Sequence, residues 1–168
     1  MSRVRVLLGA ALLAGAALAA EQPASLPSPV PAATDPATGE KVALDPAQGP
    51  MHVVFLATWC QPCVQELPKL FDLDDRWKAD GYRLFLVAVP TRQTAARLQE
   101  FGASQPHPGR LLFDADGTVT AAFGATNIPA HFLIDRKGTI VARAGTIDAA
   151  FKAAVERVVR QEGRARPS

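Results

Sequence analysis

The chain is poor in cysteine: its 168 residues include two, Cys60 and Cys63, separated by a single dipeptide. Small secreted domains stapled by disulfides carry several pairs that close long loops. A bridge across three positions restricts the unfolded chain little. The scarcity therefore excludes a disulfide framework and leaves a reactive pair. It also argues against a structural zinc site, because no second C-x-x-C is present to complete four ligands. A charge excess of one sign is missing as well. Without the first twenty residues, which hold Arg3 and Arg5, 16 basic side chains face 16 acidic ones. Nucleic acid requires a basic stripe, so no nucleic-acid partner is expected, and Arg160, Arg164 and Arg166 read as a solvated tail.

Long apolar runs are scarce too. One exists, residues 6–20, and it falls short of the roughly 20 residues that a membrane span needs. It follows Arg3 and Arg5 and closes on the small residues Ala17, Ala19 and Ala20. That is the pattern of a secretory signal, so residues 1–20 are expected to direct export to a periplasm-like compartment, cleaved or retained as an N-terminal membrane anchor. Residues 21–37 read as a proline-rich linker. Residues 38–162 are expected to form one domain, with 163–168 as a tail.

What is present is an alternation of patterns. Residues 52–57 are apolar and partly β-branched, as in a strand buried on both faces. From Cys60 to about Ala79 the period turns helical, with Val64, Leu67, Leu70, Phe71 and Trp77 on one face. Pro62 suits the first turn of that helix, and Pro68 inside it should kink it. Residues 82–89 read as a second strand and 94–101 as a helix stopped by Gly102. A short strand at 111–113 leads into the turn at Asp114–Gly117. Residues 130–134 and 139–144 form a hairpin around Asp135–Gly138, and 147–161 make a final amphipathic helix. The two Asp-x-x-Gly-Thr turns, 21 residues apart, reflect shared turn chemistry rather than duplication. Parallel strands joined by helices, with an antiparallel hairpin at the edge, define a three-layer α/β/α sandwich around a mixed sheet.

The chemistry concentrates at Thr58-Trp59-Cys60-Gln61-Pro62-Cys63. A cysteine at a helix N-terminus meets unpaired amides and the positive end of the helix dipole, which favour thiolate. Cys60 is thus expected to be the exposed attacking thiolate, and Cys63, one turn on, the more buried resolving thiol. The same two thiolates suit Cu(I), so a copper carrier, with His131 as a further ligand, is the alternative. The other histidines are placed away from the pair: His52 ahead of a strand, His107 in a Pro-His-Pro turn.

Residues 57–68, around this motif, resemble the active-site stretch of the TlpA/ResA-like branch of the thioredoxin superfamily. Residues 127–138, Asn-Ile-Pro-Ala-His-Phe-Leu-Ile-Asp-Arg-Lys-Gly, are similar to that family's cis-proline loop and hairpin. The likeness covers roughly residues 39–161. It implies a thioredoxin-like fold and a thiol–disulfide oxidoreductase of the reductase type. Disulfide-bearing proteins would be its substrates, as in cytochrome c or copper-centre maturation. A membrane dithiol would be its electron donor. No cofactor beyond the Cys60–Cys63 disulfide and no metal are implied, and a monomer is expected. Pro129 would be the cis-proline facing the cysteines. Ile128 would offer backbone hydrogen bonds to an extended substrate, with Trp59, Gln61 and Pro62 as further substrate contacts. Ordinary thioredoxins carry an Asp six residues before the first cysteine, where Val54 stands here. The branch instead implicates a Glu three residues after the second cysteine, and Glu66 occupies that position. Partial burial would raise its pKa and suit it to exchange a proton with Cys63. Ala130-His131 departs from the hydroxyl residues common after the cis-proline. His131 would favour a thiolate if it lay near Cys60, or would point away along its strand.

Overall fold

The computed structural model describes residues 25–29, 31–106 and 111–164. The expected signal at 1–20 and His107 lie outside these residues. Among the described residues, no helix is long and apolar enough to cross a membrane.

Seven strands form one mixed sheet: β1 (Ala32–Thr34), β2 (Lys41–Ala43), β3 (Met51–Leu56), β4 (Arg83–Ala88), β5 (Leu111–Phe113), β6 (Ala130–Ile134) and β7 (Ile140–Ala144). Their order across the sheet is β2-β1-β5-β4-β3-β6-β7. β3, β4 and β5 run parallel. Their crossovers are helices α1 (Gln61–Trp77) and α2 (Ala95–Ala103), as parallel connections demand. β6 and β7 add an antiparallel edge. Two further helices, α3 (Thr118–Phe123) and α4 (Ala149–Arg164), complete the expected α/β architecture.

β3 is central, and all six of its residues are buried, which explains its unbroken apolar run. Phe55 meets Phe123 of α3 and Phe132 of β6 at ring-centroid distances of 5.2 and 5.7 Å, both edge-on. On its other face, α1 buries Leu67, Leu70, Phe71 and Trp77. Gly49 enters β3 at φ 145°, and a Cβ there would lie 2.6 Å from the carbonyl oxygen of Gly81, so glycine is required at that approach.

Four expectations change. Residues 32–34 of the expected linker are a strand, paired antiparallel with β2 and touching β5. Gly102 does not stop α2: it lies buried in the last turn, and Ser104 is the cap. The strand expected at 52–57 runs from Met51 to Leu56, so His52 lies within β3 and not at its edge, fully buried. A helix, α3, follows the Asp114 turn. Its first amides are capped by Asp114, whose carboxylate accepts from Val119 N–H (3.1 Å), Thr120 N–H (2.7 Å) and the Thr120 hydroxyl. The two Asp-x-x-Gly turns share left-handed glycines, Gly117 and Gly138, yet lead into a helix and a strand respectively. That contrast agrees with independent use of one turn.

Candidate active site

Cys60 is the N-cap of α1, with extended backbone at φ −83°, ψ 97°, and its Sγ accepts from Cys63 N–H at 3.3 Å. Cys60 and Cys63 are joined as a disulfide with Cα atoms 5.3 Å apart. The pair therefore sits where α1 leaves the C-terminal end of β3, the usual place for a site in an open α/β sheet. Cys60 is less open than expected, 7% exposed against 2% for Cys63. Both cysteines are thus buried, and the expected exposure of Cys60 is not found in the closed disulfide.

Trp59 is the one large apolar side chain well exposed among the described residues, at 44%. Its indole N–H donates to the carbonyl of Thr91 (2.8 Å), and the Arg92 guanidinium stacks 4.6 Å over its ring. The anchored ring forms one wall of a groove of about 560 Å³, whose far side holds Ala125, Asn127 and Ile128. Among the described residues no charged side chain lines it. The Ile128–Pro129 peptide bond is cis, as the loop's resemblance implies. Gln61 and Pro62 are exposed on the first turn of α1. Pro62 and Pro129 also border a second cleft of about 270 Å³, together with Glu66, Lys69, Gly145 and Thr146.

Glu66 is buried on α1, one turn beyond Cys63. One carboxylate oxygen accepts from Ile147 N–H (3.0 Å) and from the Thr146 hydroxyl, and the other pairs with His131 Nε2 at 2.9 Å. The expected upward pKa shift is not observed. Burial pushes the carboxyl up, but the Thr146 hydroxyl, the Ile147 amide and His131 outweigh it and hold the pKa below the usual value. Glu66 is thus a well-solvated carboxylate in an otherwise dry place, its solvent being protein donors.

His131 is fully buried and directed at Glu66, not at the free side of Cys60. Its strand position faces Val54 across β3 and β6, so an imidazole flanks the site where ordinary thioredoxins carry the acid. Its other nitrogen, Nδ1, lies 3.1 Å from His52 Nε2, and His52 Nδ1 lies 2.6 Å from the Tyr82 hydroxyl. The sequence offered a signal for this chain, namely one histidine in each of two apolar strands, but not the partners. With both ring nitrogens engaged, His131 is not available as a third copper ligand. Among the described residues no cluster of three or more His, Cys, Asp or Glu is disposed to hold a metal.

Residues 27–143 match the AhpC/TSA family. The chain belongs to that family. Within it, the chain is a TlpA/ResA-like member of the thioredoxin superfamily. It is 26% identical over 104 residues to the thiol-disulfide oxidoreductase ResA of Bacillus thuringiensis subsp. konkukian, a match covering 61% of this chain and 59% of the relative. It is 31% identical over 107 residues to the thioredoxin-like protein YneN of Bacillus subtilis, covering 61% of each. The matched stretch thus spans about three fifths of these relatives' length. Among solved structures, a thiol:disulfide interchange protein assigned as DsbE in Chlorobium tepidum is similar at TM-score 0.67 and 26% identity, covering 85% of this chain and 98% of that one. StoA of Bacillus subtilis shares the fold at TM-score 0.61 and 20% identity, over 82% of this chain and 98% of that one.

Proposed function

We propose that this AhpC/TSA-family protein is a thiol–disulfide oxidoreductase that reduces disulfides in exported proteins. The observation that carries the reading is the closed Cys60–Cys63 pair at the start of α1, beside an uncharged groove walled by Trp59 and Ile128. In the reduced protein the Cys60 thiolate attacks one sulfur of a substrate disulfide, and the other substrate sulfur leaves as thiolate and takes a proton from solvent. Cys63 then loses its proton and attacks Cys60 Sγ, closing the Cys60–Cys63 disulfide and releasing the second substrate thiolate. Two electrons pass to the substrate, so a dithiol donor must reopen the pair. The apolar run at 6–20 supports export, which makes a membrane dithiol the fitting donor in the periplasm. Maturation of cytochrome c or of copper centres, where disulfides must be opened before metallation, is the process this chemistry serves.

The groove suits an extended, neutral polypeptide segment lying between Trp59 and Ile128, with Gln61, Pro62 and Pro129 around the cysteines. Insulin reduction with dithiothreitol as donor and a chelator present tests the reading. Turnover without metal, lost in Cys60→Ala, is expected. Stoichiometric Cu(I) uptake without turnover would instead favour a carrier.

A further inference from the structure

The hydrogen bonds around Glu66 do not stop at His131. They continue through His52 to Tyr82, a line of polar groups across the core from α1 through β6 and β3 to the start of β4. The network fixes its own direction. Ile147 N–H and the Thr146 hydroxyl donate to one Glu66 oxygen, and with Glu66 ionised, as its lowered pKa favours, the other oxygen accepts from His131 Nε2–H. His131 Nδ1 must then accept from His52 Nε2–H, and His52 Nδ1 from the Tyr82 hydroxyl. Every donor points toward Glu66. One added proton reverses the line: Glu66 becomes the donor, both rings change tautomer, and neither need carry a charge beside the other.

Two further facts bear on what such a chain does. Glu66 follows Cys63 by one turn of α1 and borders the cleft shared with Pro62 and Pro129, so it is the end of the line nearest the cysteines in the chain. Of the charged groups on α1, the helix that carries Glu66, Asp74 is fully buried and Lys69 lies at the rim of Glu66's cleft. α4 presents the Phe151 ring, 4.8 Å from His52 and 5.7 Å from His131, and the loop before it presents Thr146 and the Ile147 amide. α1 presents Cys63 and Glu66, with Lys69 at the rim of the same cleft. A bare carboxylate is a poor base for a thiol, about four pKa units apart, and the line lets a proton taken up at Glu66 be shared along its hydrogen bonds. Buried imidazoles kept only for packing would cost more than apolar residues in their place.

We propose that Glu66, His131, His52 and Tyr82 act as one proton acceptor for Cys63, with His131 and His52 as positioning residues that work through Glu66. The inference rests on the redox reading above. As Cys63 attacks the Cys60 mixed disulfide, its thiol proton passes to the Glu66 end. Cys63 becomes part of the new disulfide, the released thiolate is the reduced product, and the proton returns to that product or to solvent.

The test uses oxidised glutathione with the reduced full chain, following closure of the Cys60–glutathione mixed disulfide between pH 6.5 and 8. In the wild type an internal base makes this rate nearly independent of pH. In His131→Gln, where Glu66 takes the proton without the line behind it, the rate is expected to fall at least tenfold at pH 7 and to climb with pH, up to about tenfold per unit, as pre-formed thiolate takes over. Tyr82→Phe, which keeps the ring, is expected to give a smaller loss. On the wild type, nitrogen NMR of the imidazoles is expected to show His52 and His131 changing tautomer at one shared midpoint. Unaltered rate and slope in both variants, or two unrelated ring midpoints, would overturn the inference while leaving the redox function standing. Failure of glutathione to exchange with Cys60 at all would overturn the function itself.

Discussion

Acidification is expected to destabilise this protein well before its carboxylates titrate. His52 is held well below the ordinary imidazole range by burial and then by its neighbour His131. His131 is held below it by burial, against the opposing pull of Glu66. The unfolded chain accepts protons on both rings below about pH 6.5, and the folded protein refuses them. Stability is therefore present above that value and lost as pH falls, by up to about 1.4 kcal/mol per pH unit for each ring. Between pH 7 and 5.5 two such rings account for at most about 2–3 kcal/mol, for which a chain of this size should lose up to roughly 10 °C in Tm. Glu66, whose pKa is lowered, extends the loss below its unfolded value near 4.5. Glu162, whose pKa is raised by burial, acts in the opposite sense and trims the slope at its lower end. Urea titrations of the oxidised protein at half-unit steps measure the effect, with ring NMR of the native state alongside. A urea midpoint unchanged from pH 7 to 5.5, or a native ring titrating near 6.5, would refute the reasoning.

Two substitutions separate stability from recognition. Asp114 is 2% exposed and caps α3 through two amides and a hydroxyl, so Asp114→Ala is expected to cost about 2–4 kcal/mol in urea unfolding and to leave the Cys60–Cys63 potential unchanged. Trp59→Ala removes the groove wall held by Thr91 and Arg92. It is expected to raise KM for a peptide disulfide five- to thirtyfold, for about 1–2 kcal/mol of lost contact, with the glutathione rate intact. An equal loss on glutathione would assign Trp59 to the chemistry rather than to binding.

The parts of this molecule legible in its sequence are those whose cause is local. β3 announces itself by six consecutive buried residues, and α1 by a helical stripe that begins one residue after Cys60. The β6–β7 hairpin follows from its Asp-x-x-Gly turn. α3 was not legible, because six residues of Thr, Val, Ala and Phe carry little helical period. Its cause is the capping carboxylate of Asp114, which reaches forward to residues 119 and 120. β1 was hidden among prolines, since its pairing with β2 and β5 is decided by the sheet edge it covers.

The site divides in the same way. Cys60, Cys63 and Glu66 lie on one helix turn after another and could be placed by counting. The chain behind Glu66 joins residues 65, 79 and 30 positions apart. It exists because β3 and β6 pair in the register that sets Val54 against His131, which brings His52 and His131 together as diagonal neighbours. The pKa of Glu66 falls rather than rises because donors offset its burial, first Thr146 and Ile147 in the loop before α4 and then His131 on β6.

The central claim is the division of labour between the two sulfurs, and trapping measures it most directly. Cys63→Ala, reduced and mixed with oxidised insulin, is expected to accumulate a one-to-one covalent adduct through Cys60 that dithiothreitol releases. Cys60→Ala under the same conditions is expected to form none. An adduct through Cys63, or none with either variant, would contradict the account.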